Sequence, residues 1–263
     1  MKREVLTALV AARAAKRAAV LFTPIHSEPA SGPQPPAGAP SPAPSVRSER
    51  LWIQGEGDLP PDLAEAAARA LATDDAFTID TADGPVFVQP TNPPLRLFVV
   101  GAVHIAGALA QMASLLGYDV TLIDPRAAFA RAERWPGVRV RTEWPDEVLD
   151  AASLDHRAAV VTLTHDPKID DPALVSALKS PAFYIGALGS GKTHGSRLRR
   201  LAERGFSPEA LARIHGPVGL RIGARTPAEI ATSIVAQITE ILRRGAGGTP
   251  KRDASSGASS AST

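Results

Sequence analysis

The stretch LRLFVVGAVHIAGALAQMASLLGYDVTLIDPR, residues 95–126, constrains the fold more than any other part of the chain. An apolar run, Leu95–Val100, leads into Gly101, then an Ala- and Leu-rich helical segment, then a second apolar run, Asp119–Ile123. Asp124 stands at the tip of that run, at the distance from Gly101 where a dinucleotide-binding βαβ unit keeps its ribose acid. One position departs from the G-x-G-x-x-G pattern: Val103 replaces the second glycine. That glycine lets backbone approach a pyrophosphate, and a valine Cβ obstructs the approach. The pattern therefore argues for the fold more strongly than for NAD binding in the usual way.

The regular alternation continues. Strands are expected at Arg139–Thr142, Ala158–Thr164 and Ala182–Ile185, with helices beginning near Asp146, over Pro172–Lys179 and over His194–Arg204. The last helix has clear ends: Thr226 as N-cap, Pro227 at N1, Glu229 at N3 as a capping box, and Gly245 as the stop. Ile230, Ile234, Ile238 and Ile241 make its core-facing stripe. Strands alternating with helices imply an α/β fold, a Rossmann-like parallel sheet with flanking helices, over residues 95–245. Residues 1–94 read as a small α+β N-terminal region. Helices are expected at Glu4–Ala18 and Asp62–Ala72, and strands at Ala19–Ile25, Leu51–Gln54, Phe77–Asp80 and Pro85–Val88. A Pro-rich loop, 28–48, interrupts it, and the Ser-, Gly- and Ala-rich tail 246–263 is expected to be disordered.

Composition narrows the function. The 263 residues carry 29 Lys and Arg against 27 Asp and Glu, interspersed, so no nucleic-acid surface is indicated. The absence of cysteine excludes disulfides, thiolate nucleophiles and thiolate metal ligands. The uncharged run Leu97–Tyr118 is interrupted by Gly101, His104, Gly107, Gln111 and Ser114 and suits a buried βα unit rather than a membrane span. Acids and bases from Glu4 to Arg17 leave no signal peptide, so a cytoplasmic protein is expected.

Ligands of open parallel sheets bind beyond the carboxyl ends of the strands. Polar residues gather at four of those ends here. Gly101 serves a tight turn; His104, at a helix N-terminus, suits a phosphate or a capping role. Asp124 suits a ribose hydroxyl or is a turn acid before proline, and Arg126 is an anion clamp or a solvated arginine. Thr164, His165 and Asp166 follow the fourth strand. With Asp170 and Asp171 they are metal-ligating types, but Asp171 before Pro172 reads as an N-cap, so no metal site is expected. Gly186–Thr193 matches G-x-x-x-x-G-K-[ST] between a strand and a helix, bringing in Gly189, Ser190, Lys192 and Thr193. No later apolar run ends in a magnesium-binding acid, so this segment reads as an anion nest with a cationic side chain, not a nucleotide-hydrolysing loop.

Six ordered motifs, Gly101-Ala102-Val103-His104-Ile105-Ala106, Asp124-Pro125-Arg126, Leu163-Thr164-His165-Asp166, Tyr184-Ile185-Gly186-Ala187-Leu188-Gly189-Ser190, Pro217-Val218-Gly219-Leu220 and Thr226-Pro227-Ala228-Glu229-Ile230-Ala231, together resemble the XdhC/CoxI family. Its members are accessory proteins of xanthine dehydrogenase and related molybdenum hydroxylases. The resemblance, over about residues 95–243, implies a chaperone without catalytic residues. Such a protein holds the molybdenum cofactor transiently, a pterin with a phosphate or dinucleotide tail, and delivers it to a xanthine dehydrogenase-type hydroxylase. A cysteine desulfurase is a further implied partner, and the sequence leaves open whether the chain forms a homodimer. Relatives often carry an N-terminal G-G-C motif that this chain lacks, a glycine at position 103, and arginine where Lys192 stands. Sulfur transfer through a persulfide on this chain is thereby excluded. Two other readings stay open from the residues: an NAD(P)- or nucleotide-binding enzyme, and a ligand-free scaffold for the hydroxylase.

Overall fold

The structure, a computed structural model, describes residues 2–25, 49–130 and 135–244. The Pro-rich loop 28–48, the stop at Gly245 and the tail 246–263 lie outside the described residues. The chain divides into two compact units, Met1–Pro94 and Leu95–Thr263.

In the first unit α1 (Arg3–Ala14), β1 (Ala19–Pro24), β2 (Arg50–Ile53), α2 (Pro61–Thr73), β3 (Phe77–Thr81) and β4 (Gly84–Thr91) follow in order. The four strands form an antiparallel sheet in the order β2-β1-β4-β3. Leu63, Ala66, Ala67 and Ala70 recur at helical spacing on α2 and pack on Val20, Phe22, Val86 and Val88. This is the small α+β region that the sequence implies.

The second unit runs β5 (Arg96–Val100), α3 (His104–Leu115), β6 (Asp119–Ile123), β7 (Arg139–Arg141), α4 (Pro145–Ala151), β8 (Ala158–Thr162), α5 (Pro167–Leu178), β9 (Tyr184–Ala187), α6 (Gly191–Glu203), α7 (Pro208–Leu211), β10 (Ile214–His215) and α8 (Pro227–Arg244). Its six strands are all parallel, in the order β10-β9-β8-β5-β6-β7. The chain winds outward from β5 through β6 to β7, then returns to β8 and winds the other way. The strand order therefore reverses between β5 and β8, the point where doubly wound sheets bind their ligands. β5 and β8 carry unbroken buried runs because both faces are covered. Alternate residues divide between the two faces. Phe98, Val100, Ala158 and Val160 pack with α4 and α5, and Leu97, Val99, Ala159 and Val161 with α3 and α8. The capping box of α8 forms: Glu229 N–H donates to Thr226 Oγ1 at 3.3 Å, and Thr226 N–H to Glu229 Oε2 at 2.9 Å. Among the described residues no helix is long and apolar enough to cross a membrane.

Three expectations need correction. α5 starts at Pro167, not Pro172: the Asp166 carboxylate caps it by accepting from Lys168 N–H at 2.9 Å, and Asp171 is not the cap. Pro172 sits inside the helix and forfeits one backbone bond, a loss offset by burial of Ile169, Ala173, Leu174 and Ala177. β9 is Tyr184–Ala187 rather than Ala182–Ile185, because pairing with β8 carries Gly186 into the sheet. α6 begins at Gly191 rather than His194, capped by Ser190, whose Oγ accepts from Thr193 N–H at 3.2 Å. The short α7 and β10 were not expected from the sequence, although Ser207 and Pro208 cap and open α7 as Thr226 and Pro227 do α8.

Candidate functional site

The turn after β5 is shaped by what approaches it. Gly101 has φ +111°, and a Cβ there would come within 2.5 Å of Thr164 Cγ2, so the loop after β8 presses directly on this glycine. Val103 adopts extended backbone as the N-cap of α3, half-buried, and His104 opens the helix exposed. Ala106, at the position of the third glycine, is fully buried, which keeps α3 tight on the sheet.

Asp124 is fully buried, and both its oxygens are in use. Oδ2 accepts from Ala102 N–H and Arg126 Nη2, each at 2.8 Å; Oδ1 accepts from Arg126 N–H at 3.0 Å and Arg126 Nε at 2.9 Å. Burial alone would raise this carboxyl's pKa, but the Arg126 fork and the Ala102 amide outweigh it and hold the group below its ordinary value. Its acceptor capacity is spent within the protein, which leaves the ribose reading without support. Arg126 in turn lies over the Phe129 ring, 4.6 Å from its centroid.

At the end of β8 the backbone turns through His165, whose φ of +66° is left-handed. Asp170 holds that turn. Its Oδ1 accepts from Thr164 Oγ1 at 2.7 Å and its Oδ2 from His165 N–H at 3.1 Å, while Asp166 N–H donates to Thr164 Oγ1 at 3.1 Å. Burial raises the pKa of Asp170 against the pull of these donors and of Arg197. Asp171 is gripped by Arg200 through Nε at 2.7 Å and Nη2 at 2.9 Å. The acids of this stretch thus serve as cap, turn post and ion-pair partner. Among the described residues no group of three or more His, Cys, Asp or Glu could hold a metal.

The loop after β9 is shorter than the motif suggested. Gly186 and Ala187 belong to the strand, and a Cβ on Gly186 would lie 2.6 Å from Val218 Cγ2. Only Leu188, Gly189 and Ser190 remain to turn the chain into α6, too few to wrap a phosphate in the manner of a nucleotide-hydrolysing loop. Beside this turn lies a cavity of about 240 Å³, lined by His165, Pro167, Asp170, Lys192, Thr193, Ser196, Arg197 and Arg200. Arg197 is the unusual member. Only 1% exposed, it donates through Nη2 to the Leu188 carbonyl at 2.8 Å and lies 3.7 Å from Asp170 Oδ2. Its Nε and Nη1 have no partner. A buried guanidinium normally satisfies most of its five donors.

Of the residues singled out from sequence, His165, Asp170, Lys192 and Thr193 meet at this cavity. Gly101, Val103, His104, Asp124, Arg126, Thr164, Asp166, Gly189 and Ser190 are not among its lining. Gly101 and Thr164 touch, however, and the Arg126 guanidinium is close enough to feel the charges of Asp166 and Asp170. Sequence reasoning passed over Ser196, Arg197 and Arg200. Their spacing from Thr193 places them on one face of α6, and Arg197 stands one turn before the buried Leu201, where an apolar residue belongs.

An open sheet of six parallel strands that reverses its order between β5 and β8, with a cation-lined cavity beyond the ends of β8 and β9, defines a Rossmann-type domain. Its first turn departs from the dinucleotide pattern at Val103, and its acid, Asp124, is internally paired. The sequence family described as the XdhC Rossmann domain matches residues 97–238, and the chain belongs to that family. It is 33% identical over 150 residues to the molybdenum cofactor insertion chaperone PaoD of Escherichia coli K12, covering 57% of this chain and 41% of that protein. It is 32% identical over 160 residues to a Bacillus subtilis 168 protein described as a probable xanthine dehydrogenase subunit, covering 60% and 46% respectively. An uncharacterized E. coli protein, YqeB, is 33% identical over 163 residues, 62% of this chain and 30% of its own length. The chain thus spans less than half the length of these curated relatives. A crystal structure described as a xanthine dehydrogenase from Bacillus halodurans superposes with a TM-score of 0.64, covering 97% of this chain and 66% of that one. At 21% identity that likeness speaks to the fold.

Proposed function

We propose that this chain is an accessory protein of molybdenum hydroxylases of the xanthine dehydrogenase type, holding the molybdenum cofactor for insertion in the cytoplasm. The observation that carries the reading is the XdhC Rossmann match together with a strand-end cavity lined by the cationic side chains Lys192, Arg197 and Arg200. Such a site suits an anionic cofactor, because charge-assisted bonds to a cation at a partly enclosed cavity are the strong ones. Lys192 and Thr193 would hold its phosphate end. The cofactor when bound supplies the oxygen-transfer chemistry to the enzyme that receives it; this chain binds, orients and shields. With no cysteine in the sequence, molybdenum gains no thiolate from this protein, and a cysteine desulfurase partner would carry the sulfur itself.

The NAD(P) reading loses support from Val103 and from the saturated Asp124. The test is retention of molybdopterin by the purified chain after gel filtration, followed by activation of an apo-hydroxylase. Retention with activation is the expected result; a chain that retains no cofactor and activates no hydroxylase would overturn the reading.

A further inference from the structure

Positive charge is concentrated in one segment of the second unit. From Gly191 to Arg225 eight Lys and Arg stand against two acids, Glu203 and Glu209, which leaves the rest of the chain acidic on balance. Three of the eight are consumed inside the protein. Arg197 faces Asp170, Arg200 grips Asp171, and Arg213 donates to the carbonyls of Leu178, Ser180 and Ala182. The other five, Lys192, Arg199, Arg204, Arg221 and Arg225, are exposed, and none pairs with an acid among the described residues.

Two of these cations flank Ile222, which is 57% exposed in the loop between β10 and α8. A single exposed isoleucine is ordinary, but this one stands on a loop tied down on both sides of it. Val218 N–H donates to the Ala187 carbonyl at 3.1 Å, and Gly219 N–H to Gln237 Oε1 at 2.8 Å. Leu220 N–H donates to the Ser233 carbonyl at 3.1 Å, and Arg225 N–H to Glu229 Oε2 at 2.7 Å. The backbone is fixed while the side chains of Arg221, Ile222 and Arg225 stay outside, so burying them against a partner costs little ordering entropy. The loop begins where Gly216 packs against the His194 ring, in the first turn of α6. A partner seated on it is thereby placed beside the turn whose Lys192 and Thr193 line the cavity.

We propose that the loop between β10 and α8 docks an acidic face of a partner protein, with Ile222 seated in an apolar notch and Arg221 and Arg225 paired to carboxylates around it. An apolar anchor inside a charged rim is the common anatomy of a protein interface. A nucleic acid fits less well: it offers the isoleucine no notch, and its phosphates meet an acidic remainder of the chain. Resting on the accessory reading above, the partner is the hydroxylase that receives the cofactor.

The experiment measures association and dissociation rates of the full chain with a purified apo-hydroxylase of the xanthine dehydrogenase type, at low and at high salt. Association of the parent should slow as salt rises, because screening removes the steering between unlike charges. Arg221→Glu/Arg225→Glu should slow association at least about tenfold at low salt, and Ile222→Ala should speed dissociation about tenfold. Arg3→Glu/Arg13→Glu, at exposed residues of α1, makes the same change in net charge and should leave both rates within about twofold. All the substituted side chains are exposed, and an unchanged circular dichroism spectrum checks that the variants keep the parent fold. No binding of the hydroxylase, equal effects of the two double variants, or dissociation of Ile222→Ala at the parental rate would each overturn the proposal. So would a parent that binds duplex DNA, or a second copy of itself, through these residues while the hydroxylase rates stay unmoved. A chain that retains molybdopterin and activates the hydroxylase, with unchanged rates in every variant, would sink this inference and spare the accessory role. A parent that binds the hydroxylase through this loop but retains no cofactor and activates no enzyme would do the reverse.

Discussion

Arg126 closes its fork on the buried carboxylate of Asp124, Nε at 2.9 Å and Nη2 at 2.8 Å, two residues along the same turn. The same carboxylate anchors Ala102 N–H, so one acid ties the ends of β5 and β6 together. Asp124→Asn keeps the shape but loses the charge and turns one acceptor into a donor facing donors. It should cost about 2 kcal/mol, the order of one or two charge-assisted bonds. Arg126→Ala should cost less, because Asp124 keeps its two backbone donors. Urea denaturation of both variants checks the ranking, and equal losses would contradict it. The stabilisation from Asp124, a carboxyl with a depressed pKa, is complete above its ordinary value near 3.9 and fades as pH falls through its lower folded value.

Two histidines set a second pH dependence. Burial lowers the pKa of His194, helped by Arg197, and burial lowers that of His215, which stacks on Tyr184 at 5.0 Å. As pH drops through about 6.5 the unfolded chain takes up protons that the folded chain refuses, so stability falls on acidification from there downward. Asp170, raised by burial, works in the opposite sense above its ordinary value near 3.9. His215→Phe keeps a ring against Tyr184 and removes one of the two histidine contributions. Melting temperatures at pH 7.5, 6.5 and 5.5 should decline in the parent and decline less steeply in His215→Phe. Parallel curves would exclude a role for His215.

Much of the second unit could be read in advance because its signals were local. Asp119–Ile123 matches β6 residue for residue, and Thr226, Pro227 and Glu229 cap α8 as their spacing requires. What failed depended on partners distant in sequence. Gly186 looks like a loop residue until Val218 packs against it, and Asp171 looks like a cap until Arg200 grips it. Arg197 is the sharpest case. On helical periodicity it falls at a core position, where a charge reads as noise; only the Leu188 carbonyl and Asp170 reveal why it is there. The candidate cavity was therefore legible as a place, the strand ends, but not as a set of side chains.

Gly219 and Gly205 offer a controlled comparison of backbone strain and space. Both have positive φ, +96° and +91°. A Cβ on Gly219 would lie 2.3 Å from Ser233 Oγ, which donates to the Ile230 carbonyl at 2.7 Å, whereas a Cβ on Gly205 would meet nothing within 4 Å. Gly205→Ala should cost about 1 kcal/mol from conformation alone. Gly219→Ala adds displacement of a buried serine from α8 and should cost about 3 kcal/mol. Chemical denaturation measures the difference; equal losses would mean that the loop yields freely to the added methyl.

The two obstacles to a dinucleotide can be removed one at a time. Val103→Gly restores the backbone surface that a pyrophosphate needs, but Asp124 stays saturated and the ribose gains no acceptor. Arg126→Ala frees one edge of Asp124, but the valine side chain still stands before the phosphates. Each single change should therefore leave NADH binding, followed by fluorescence titration, within a few-fold of the parent. The double variant should bind at least about tenfold more tightly, since each contact requires the other to be in place. A Val103→Gly chain that alone bound NADH tightly would show that one methyl-bearing side chain, and not the Arg126–Asp124 lock, had kept the dinucleotide out.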